Sequence, residues 1–300
     1  MADLEAGGPV PLKAVGLVIH GGRPEAIVAA RQVTGLLADT SVAVVGCEED
    51  AWGAGVEGLE LRSSADFGDG LDVVLSMGGD GTFLRAAYWS RAFGVPLLGV
   101  NLGRLGFLSE VEVAGLPEAV GRLVAGAFEV EERMTLRVEV TDRDGQIRAV
   151  SWALNEASVE RTVPQRLVVL EVRVGEVTFA RIPADAVICA TPTGSTAYAF
   201  SAGGPILSPL VDAILLVPVA PHTLFSRTLV VDPGETLSVR CVGGHNECVV
   251  TCDGRESIAV PRGGGVRVGR GERPVRLVRL RPFSFYERVR DKFGLRVGGS

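Results

Sequence analysis

An acid set among glycines, where an anion would sit, is the first chemical oddity of this chain: Ser76-Met77-Gly78-Gly79-Asp80-Gly81-Thr82-Phe83-Leu84-Arg85. The run follows an apolar stretch, Leu71–Met77, and leads into residues with helical spacing. Open α/β sheets bind ligands at such strand-to-helix junctions. Adjacent glycines let backbone N–H groups approach phosphate oxygens, and the helix N-terminus adds partial positive charge. Asp80 repels a phosphate, so it needs another task. It could hold Mg²⁺, accept a proton from a hydroxyl attacking phosphorus, or simply cap the helix in a tight turn.

Two further segments carry polar chemistry. Thr191-Pro192-Thr193-Gly194-Ser195-Thr196-Ala197-Tyr198 and the residues to Pro205 gather hydroxyls, glycines and one tyrosine after the apolar Val187–Cys189. Such a segment can line a polar ligand or be a hydroxyl-rich loop with ordinary caps. Trp152-Ala153-Leu154-Asn155-Glu156 sets an amide beside a carboxylate at a strand end, a pair suited to ribose hydroxyls. Gly53-Ala54-Gly55-Val56-Glu57-Gly58 matches a dinucleotide fingerprint as a string, but no amphipathic helix follows it. Cys241, His245, Cys248 and Cys252 match no common zinc spacing and read better as strand thiols. His20-Gly21-Gly22-Arg23 is either a plain turn or a phosphate-facing loop, and His222 is either structural or part of the site.

The elements that must position these residues fall into two regimes. Up to about residue 127, short apolar strands (Val15–Ile19, Val42–Val45, Leu71–Met77, Val95–Val100) alternate with helical spacing (Pro24–Ala38, Thr82–Phe93, Leu116–Ala125). That alternation predicts a mostly parallel sheet covered by helices. From residue 128 to 274 the period becomes two, as in Met134, Leu136, Val138 and Val140, with glycine-rich turns between strands. This predicts an all-β second domain. A helical tail, Phe283–Phe293, within 275–295, is expected to fold back on the first domain, 10–127.

Bulk properties narrow the function. The 300 residues, 47% hydrophobic, suffice for two cores, and the net charge of −6 argues against a nucleic-acid or membrane-surface binder. The acidic start, the absence of a long apolar span and the five unpatterned cysteines suggest a cytoplasmic protein with reduced thiols.

Taken together and in order, the glycine–aspartate–glycine–threonine run, the asparagine–glutamate pair and the Thr191–Tyr198 run resemble those of the NAD kinase family. Val100–Leu108 and Pro221–Leu224 add to a resemblance that extends from about Val15 to Phe293. It implies a phosphofructokinase- or diacylglycerol-kinase-like α/β domain, a β-sandwich NAD-binding domain, and an active site between them. It also implies ATP- or polyphosphate-dependent phosphorylation of NAD at the adenosine 2′-hydroxyl, giving NADP, with Mg²⁺ accompanying the donor and no dedicated metal-ligand set in the chain. On this resemblance Asp80 is the base. Gly78, Gly79, Gly81 and Thr82 admit the phosphates, and Asn155 and Glu156 bind ribose. Thr196, Ala197, Tyr198 and Ser201 line the dinucleotide pocket, with Arg85, Phe107, Arg166, Asp185 and Thr193 as further contacts. A homodimer or homotetramer is implied as well. The sequence departs from the family pattern at Pro183 and Ala186, which flank the Asp185 region, and at Arg255, where glutamine is usual. A lipid or sphingoid-base kinase shares the glycine–aspartate run but lacks the Thr191–Tyr198 segment. A non-catalytic NAD(P) sensor is the alternative of another class.

Overall fold

The computed structural model describes residues 12–50, 56, 58–103, 106–162, 168–243, 247–282 and 284–296. The chain divides into two compact units, Met1–Glu132 with Val275–Ser300, and Arg133–Pro274.

The first unit alternates as its hydrophobic pattern predicts. Strand β1 (Ala14–Ile19) leads to α1 (Pro24–Leu37), and β2 (Ala43–Cys47) and β3 (Glu60–Arg62) follow. Next come β4 (Val73–Gly78), α2 (Asp80–Ser90), β5 (Leu97–Asn101), β6 (Val111–Glu112), α3 (Leu116–Val124) and β7 (Glu129–Arg133). The sheet runs β3-β2-β1-β4-β5, then the distant strand Val275–Arg279, then β7, with β6 beside β5. Strands β1 to β6 pair in parallel, and β1 and β4 are buried throughout. Burial on both faces explains their unbroken apolar sequence. Helix α1 starts on a proline and buries Ala26, Ala29, Ala30, Val33 and Leu37, the small-residue face that lets it lie close to the sheet. Helix α2 begins at Asp80 itself, two residues before the expected Thr82, because Gly79 takes the N-cap. It passes into a 3₁₀ turn, Arg91–Phe93, closed by Gly94 at φ +70°.

The second unit is a β-sandwich. Its strands are β8 (Leu136–Thr141), β9 (Ile147–Ala153), β10 (Glu156–Arg161), β11 (Val168–Val174), β12 (Val177–Ala184) and β13 (Ala186–Ala190). After the short helix α4 (Tyr198–Ser201) come β14 (Ile214–Val219), β15 (Leu229–Val231), β16 (Leu237–Gly243), β17 (Cys248–Cys252), β18 (Ile258–Val260) and β19 (Gly265–Arg270). One antiparallel sheet runs β12-β11-β16-β19-β8-β9 and the other β15-β14-β13-β10-β17-β18. Leu136, Leu170, Val239 and Val268 from one pack with Val159, Val187, Leu216 and Val250 from the other. Strand β13 is buried on both sides, because Ile188 and Ala190 turn outward to meet Ala199, Leu215 and Val217. The polar loop after β13 is thereby seated on apolar ground.

The chain then returns to the first sheet as β20 (Val275–Arg279) and continues into α5 (Phe285–Phe293), whose first turn is capped by the Ser284 hydroxyl. The Phe107 ring lies 6.5 Å from Phe285 and 6.3 Å from Phe293, holding this helix to the loop after β5. Among the described residues, no helix is long and apolar enough to cross a membrane.

Candidate active site

In the first unit, the site is the turn between β4 and α2. Asp80 occupies the first position of the helix, and its carboxylate reaches back to the loop after β5. Oδ2 accepts the Phe107 N–H at 3.1 Å and Oδ1 the Leu108 N–H at 3.2 Å. The third member of that loop, Gly106, is glycine for a reason of space: a Cβ there would lie 2.2 Å from Asp80 Oδ1. Gly78 is likewise pressed against Thr82, where a Cβ would meet Oγ1 at 2.2 Å. Gly79 and Gly81 face open space and are exposed, so their backbone is accessible to a ligand.

Phe107 contributes its amide to Asp80 and its ring to α5. Arg85 points elsewhere. Its guanidinium pairs with the buried Asp50 at 2.8 Å, donates to the Ile19 carbonyl and lies 5.4 Å from the Trp89 ring centroid. Asp50 also accepts the Ile19 N–H at 3.1 Å, so the pair ties α2 to the end of β1. His20 closes its own turn, with Nδ1 accepting the Gly22 N–H at 3.2 Å.

In the second unit, Leu154 and Asn155 form the tight connection from β9 to β10, and Glu156 is the first residue of β10. Three neighbours fix it. The Asn155 carbonyl accepts the Thr191 N–H at 2.8 Å, and the Thr191 hydroxyl donates to the Leu154 carbonyl. Gly194 packs so closely that a Cβ would sit 2.0 Å from the Asn155 oxygen. Asp253, in the turn after β17, accepts N–H bonds from Leu154, Asn155 and Glu156 at 2.7, 2.8 and 3.1 Å. Burial pushes the Glu156 carboxyl up to about 7; the neighbouring Asp253 charge adds to this and the Tyr198 backbone N–H opposes it. Glu156 Oε2 is buried without a hydrogen-bond partner. Burial raises Asp253 too, against those three amides and Arg255.

The Thr191–Tyr198 segment divides between scaffold and surface. Thr193 accepts from the buried Arg133 at 3.3 Å, and Ser195 is tied to Pro192 and Leu207. Thr196 and Ala197 are partly buried, while Tyr198 and Ser201 are exposed. Burial, then Glu160, Asp185 and Glu156, push the Tyr198 phenol above its ordinary value, so these groups share one neighbourhood. Asp185 pairs with Arg161 at 3.0 Å. Arg166, the fingerprint-like string except for Val56 and Gly58, and His245 lie outside the described residues. Cys241, Cys248 and Cys252 are buried free thiols, and burial pushes Cys248 to about 12. Among the described residues, no group of three or more His, Cys, Asp or Glu could hold a metal ion.

Sequence reasoning passed over Asp253 as a site residue, and over the Phe107 and Leu108 amides as Asp80's partners. Asp253-Gly254 was legible only as a turn; that its carboxylate serves a segment about a hundred residues earlier was not.

A parallel sheet with a glycine–aspartate turn at the carboxyl end of a central strand, followed by a β-sandwich with a clamped Asn–Glu turn, is the architecture of a nucleotide phosphotransferase. The family model for the ATP-NAD kinase N-terminal domain matches residues 15–128, and that for the ATP-NAD kinase C-terminal domain matches 154–280. The chain is 45% identical over 292 residues to NAD kinase 2 of Streptomyces avermitilis, covering 96% of each. It belongs to the NAD kinase family. Among solved structures, an NAD kinase from Archaeoglobus fulgidus in complex with ATP superposes with a TM-score of 0.69 at 26% identity, covering 94% of this chain and 97% of that one. Yeast NADH kinase complexed with NADH shares the fold, with a TM-score of 0.86 at 23% identity over 97% of this chain and 89% of that one.

Proposed function

We propose that this NAD kinase phosphorylates the 2′-hydroxyl of the adenosine ribose of NAD, with Asp80 as the general base. Transfer of phosphate from ATP to NAD is the activity of its family. In the step, the bond between the γ-phosphorus and its bridging oxygen breaks and a bond to the 2′-oxygen forms. The hydroxyl proton passes to Asp80, and the products are ADP and NADP. Inorganic polyphosphate is the other donor class to try in the same assay.

The observation that carries this reading is the tethering of Asp80. Two backbone amides use one lone pair on each carboxylate oxygen and fix the group at the mouth of α2, beside the open backbone of Gly79 and Gly81. A carboxylate oxygen keeps a second lone pair, so Asp80 retains the capacity to accept a hydroxyl proton. The helix N-terminus and the glycine amides favour the phosphates that the aspartate itself would repel. Asn155 and Glu156 hold the ribose; a carboxyl protonated near pH 7 can both donate to and accept from a sugar hydroxyl. Tyr198, exposed beside them, offers a ring face to the dinucleotide.

Mg²⁺ in phosphotransfer sites is held mainly by phosphate oxygens and water, with one or two protein carboxylates. A metal arriving with ATP would be held by phosphate oxygens and water and would neutralise charge on the transferring group, leaving the Asp80 carboxylate to take the proton. A cytoplasmic homodimer or homotetramer completes the proposal.

Asp80→Asn tests the base. It is expected to keep the melting temperature and NAD affinity while kcat falls by about 10²–10⁴. Near-normal turnover in that variant, with NAD or NADH and each donor, would remove Asp80 from the chemistry.

A further inference from the structure

We infer that Asp253 is a positioning residue for the reaction: with Arg255 it forms a clamp that sets the Asn155–Glu156 pair against the substrate ribose. The inference rests on the reading of that pair as the ribose site.

The turn after β17 takes up every backbone N–H of Leu154–Glu156 and the Glu156 carbonyl. The Asp253 carboxylate accepts three consecutive amides, Leu154, Asn155 and Glu156, at 2.7, 2.8 and 3.1 Å. The Asp253 N–H returns a bond to the Glu156 carbonyl at 3.0 Å. Arg255 donates to the Trp152 carbonyl and to the Cys252 carbonyl, the latter at 3.1 Å, and its guanidinium lies 5.1 Å from the Trp152 ring centroid. Asp253 and Gly254, at φ +51° and +67°, form a tight turn closed by the Arg255 N–H donating to the Cys252 carbonyl at 3.0 Å, a turn for which an Asp-Gly pair is well suited.

A simple hairpin link would not need this. Strands β10 and β17 already pair from Ala157↔Cys252 to Arg161↔Cys248, so the ladder is complete without the carboxylate. What Asp253 adds lies beyond the ladder, at the two residues read above as the ribose site. An acceptor that takes three successive amides fixes the peptide planes, and hence the directions of the Asn155 and Glu156 side chains. Its charge also acts on Glu156, which burial already holds protonated to about pH 7. The other groups in electrostatic contact with the pair are Tyr198, Cys252 and Arg255.

Asp253→Asn in the full-length enzyme separates positioning from mere scaffolding. The amide cannot accept from all three N–H groups, so KM for NAD is expected to rise on the order of tenfold or more, with KM for ATP unchanged. The inflection that Glu156 contributes near pH 7 to kcat/KM for NAD is expected to move to lower pH, because the neighbouring charge is gone. An unaltered KM and pH profile, or an equal loss of affinity for NAD and ATP, overturns the inference. Should Asp253→Asn fail to fold, Arg255→Ala, which removes the contacts to Trp152 and Cys252, decides: a severalfold rise in KM for NAD alone supports the clamp, and an unchanged value overturns it. Wild-type enzyme assayed alongside keeps the two readings apart, since its failure to phosphorylate NAD would instead sink the ribose site itself.

Discussion

Glu156 carries a proton that most surface glutamates lose, and that fact has a sign. Its carboxyl is pushed from an ordinary value of 4.5 to about 7, chiefly by burial. The folded state therefore binds the proton more tightly than the unfolded chain. The corresponding stability is fully present below pH 4.5 and is lost as pH rises through 7, by no more than about 3 kcal/mol. Glu156→Gln stays neutral throughout, so it is expected to melt several degrees above wild type at pH 8, with the gap closing at pH 4. Thermal melts at the two pH values check this; equal gaps at both would show that burial does not set the Glu156 charge. The same substitution keeps a donor and an acceptor for a sugar hydroxyl, which separates its effect on stability from its effect on NAD binding.

At the level of elements, the loop Gly106–Leu108 decides where Asp80 points. Gly106→Ala would place a methyl 2.2 Å from Asp80 Oδ1, and either the loop or the carboxylate must move. A displacement of about 1 Å at a reacting group can cost on the order of a hundredfold in rate. Gly106→Ala is therefore expected to lower kcat strongly while the melting temperature changes little; full activity would show that the two amides do not set the carboxylate. Parts of this geometry could be read from the sequence and parts could not. The Gly78–Thr82 turn announces itself by residue type, and the alternation of Leu136, Val138 and Val140 shows β8, because both signals are local. The amides that hold Asp80 lie 27 and 28 residues away, and the carboxylate that holds Asn155 lies 98 away. No local pattern encodes such partners. The family resemblance implies Arg85 as a substrate contact; its guanidinium pairs with Asp50, a partner 35 residues earlier that no local pattern marks.

Across the molecule, the first unit depends on one late arginine. Arg279, on β20, is 5% exposed and pairs with Glu110 at 2.7 Å and Glu131 at 3.0 Å, both more than 140 residues earlier. Arg279→Ala would strand two largely buried carboxylates and is expected to cost about 3–5 kcal/mol, measurable by urea unfolding. A loss below 1 kcal/mol would show that the triad is dispensable. The same strand sits between β5 and β7, not at the rim of the sheet. During synthesis, the ribosome therefore delivers seven strands and three helices of the first unit, then every strand of the sandwich, before the piece that fills that slot emerges. Until residue 279 is free of the exit tunnel, β5 keeps a bare edge where β20 will pair and β7 has no neighbour to extend. A nascent chain halted anywhere in the sandwich would present that gap to other chains or to a chaperone.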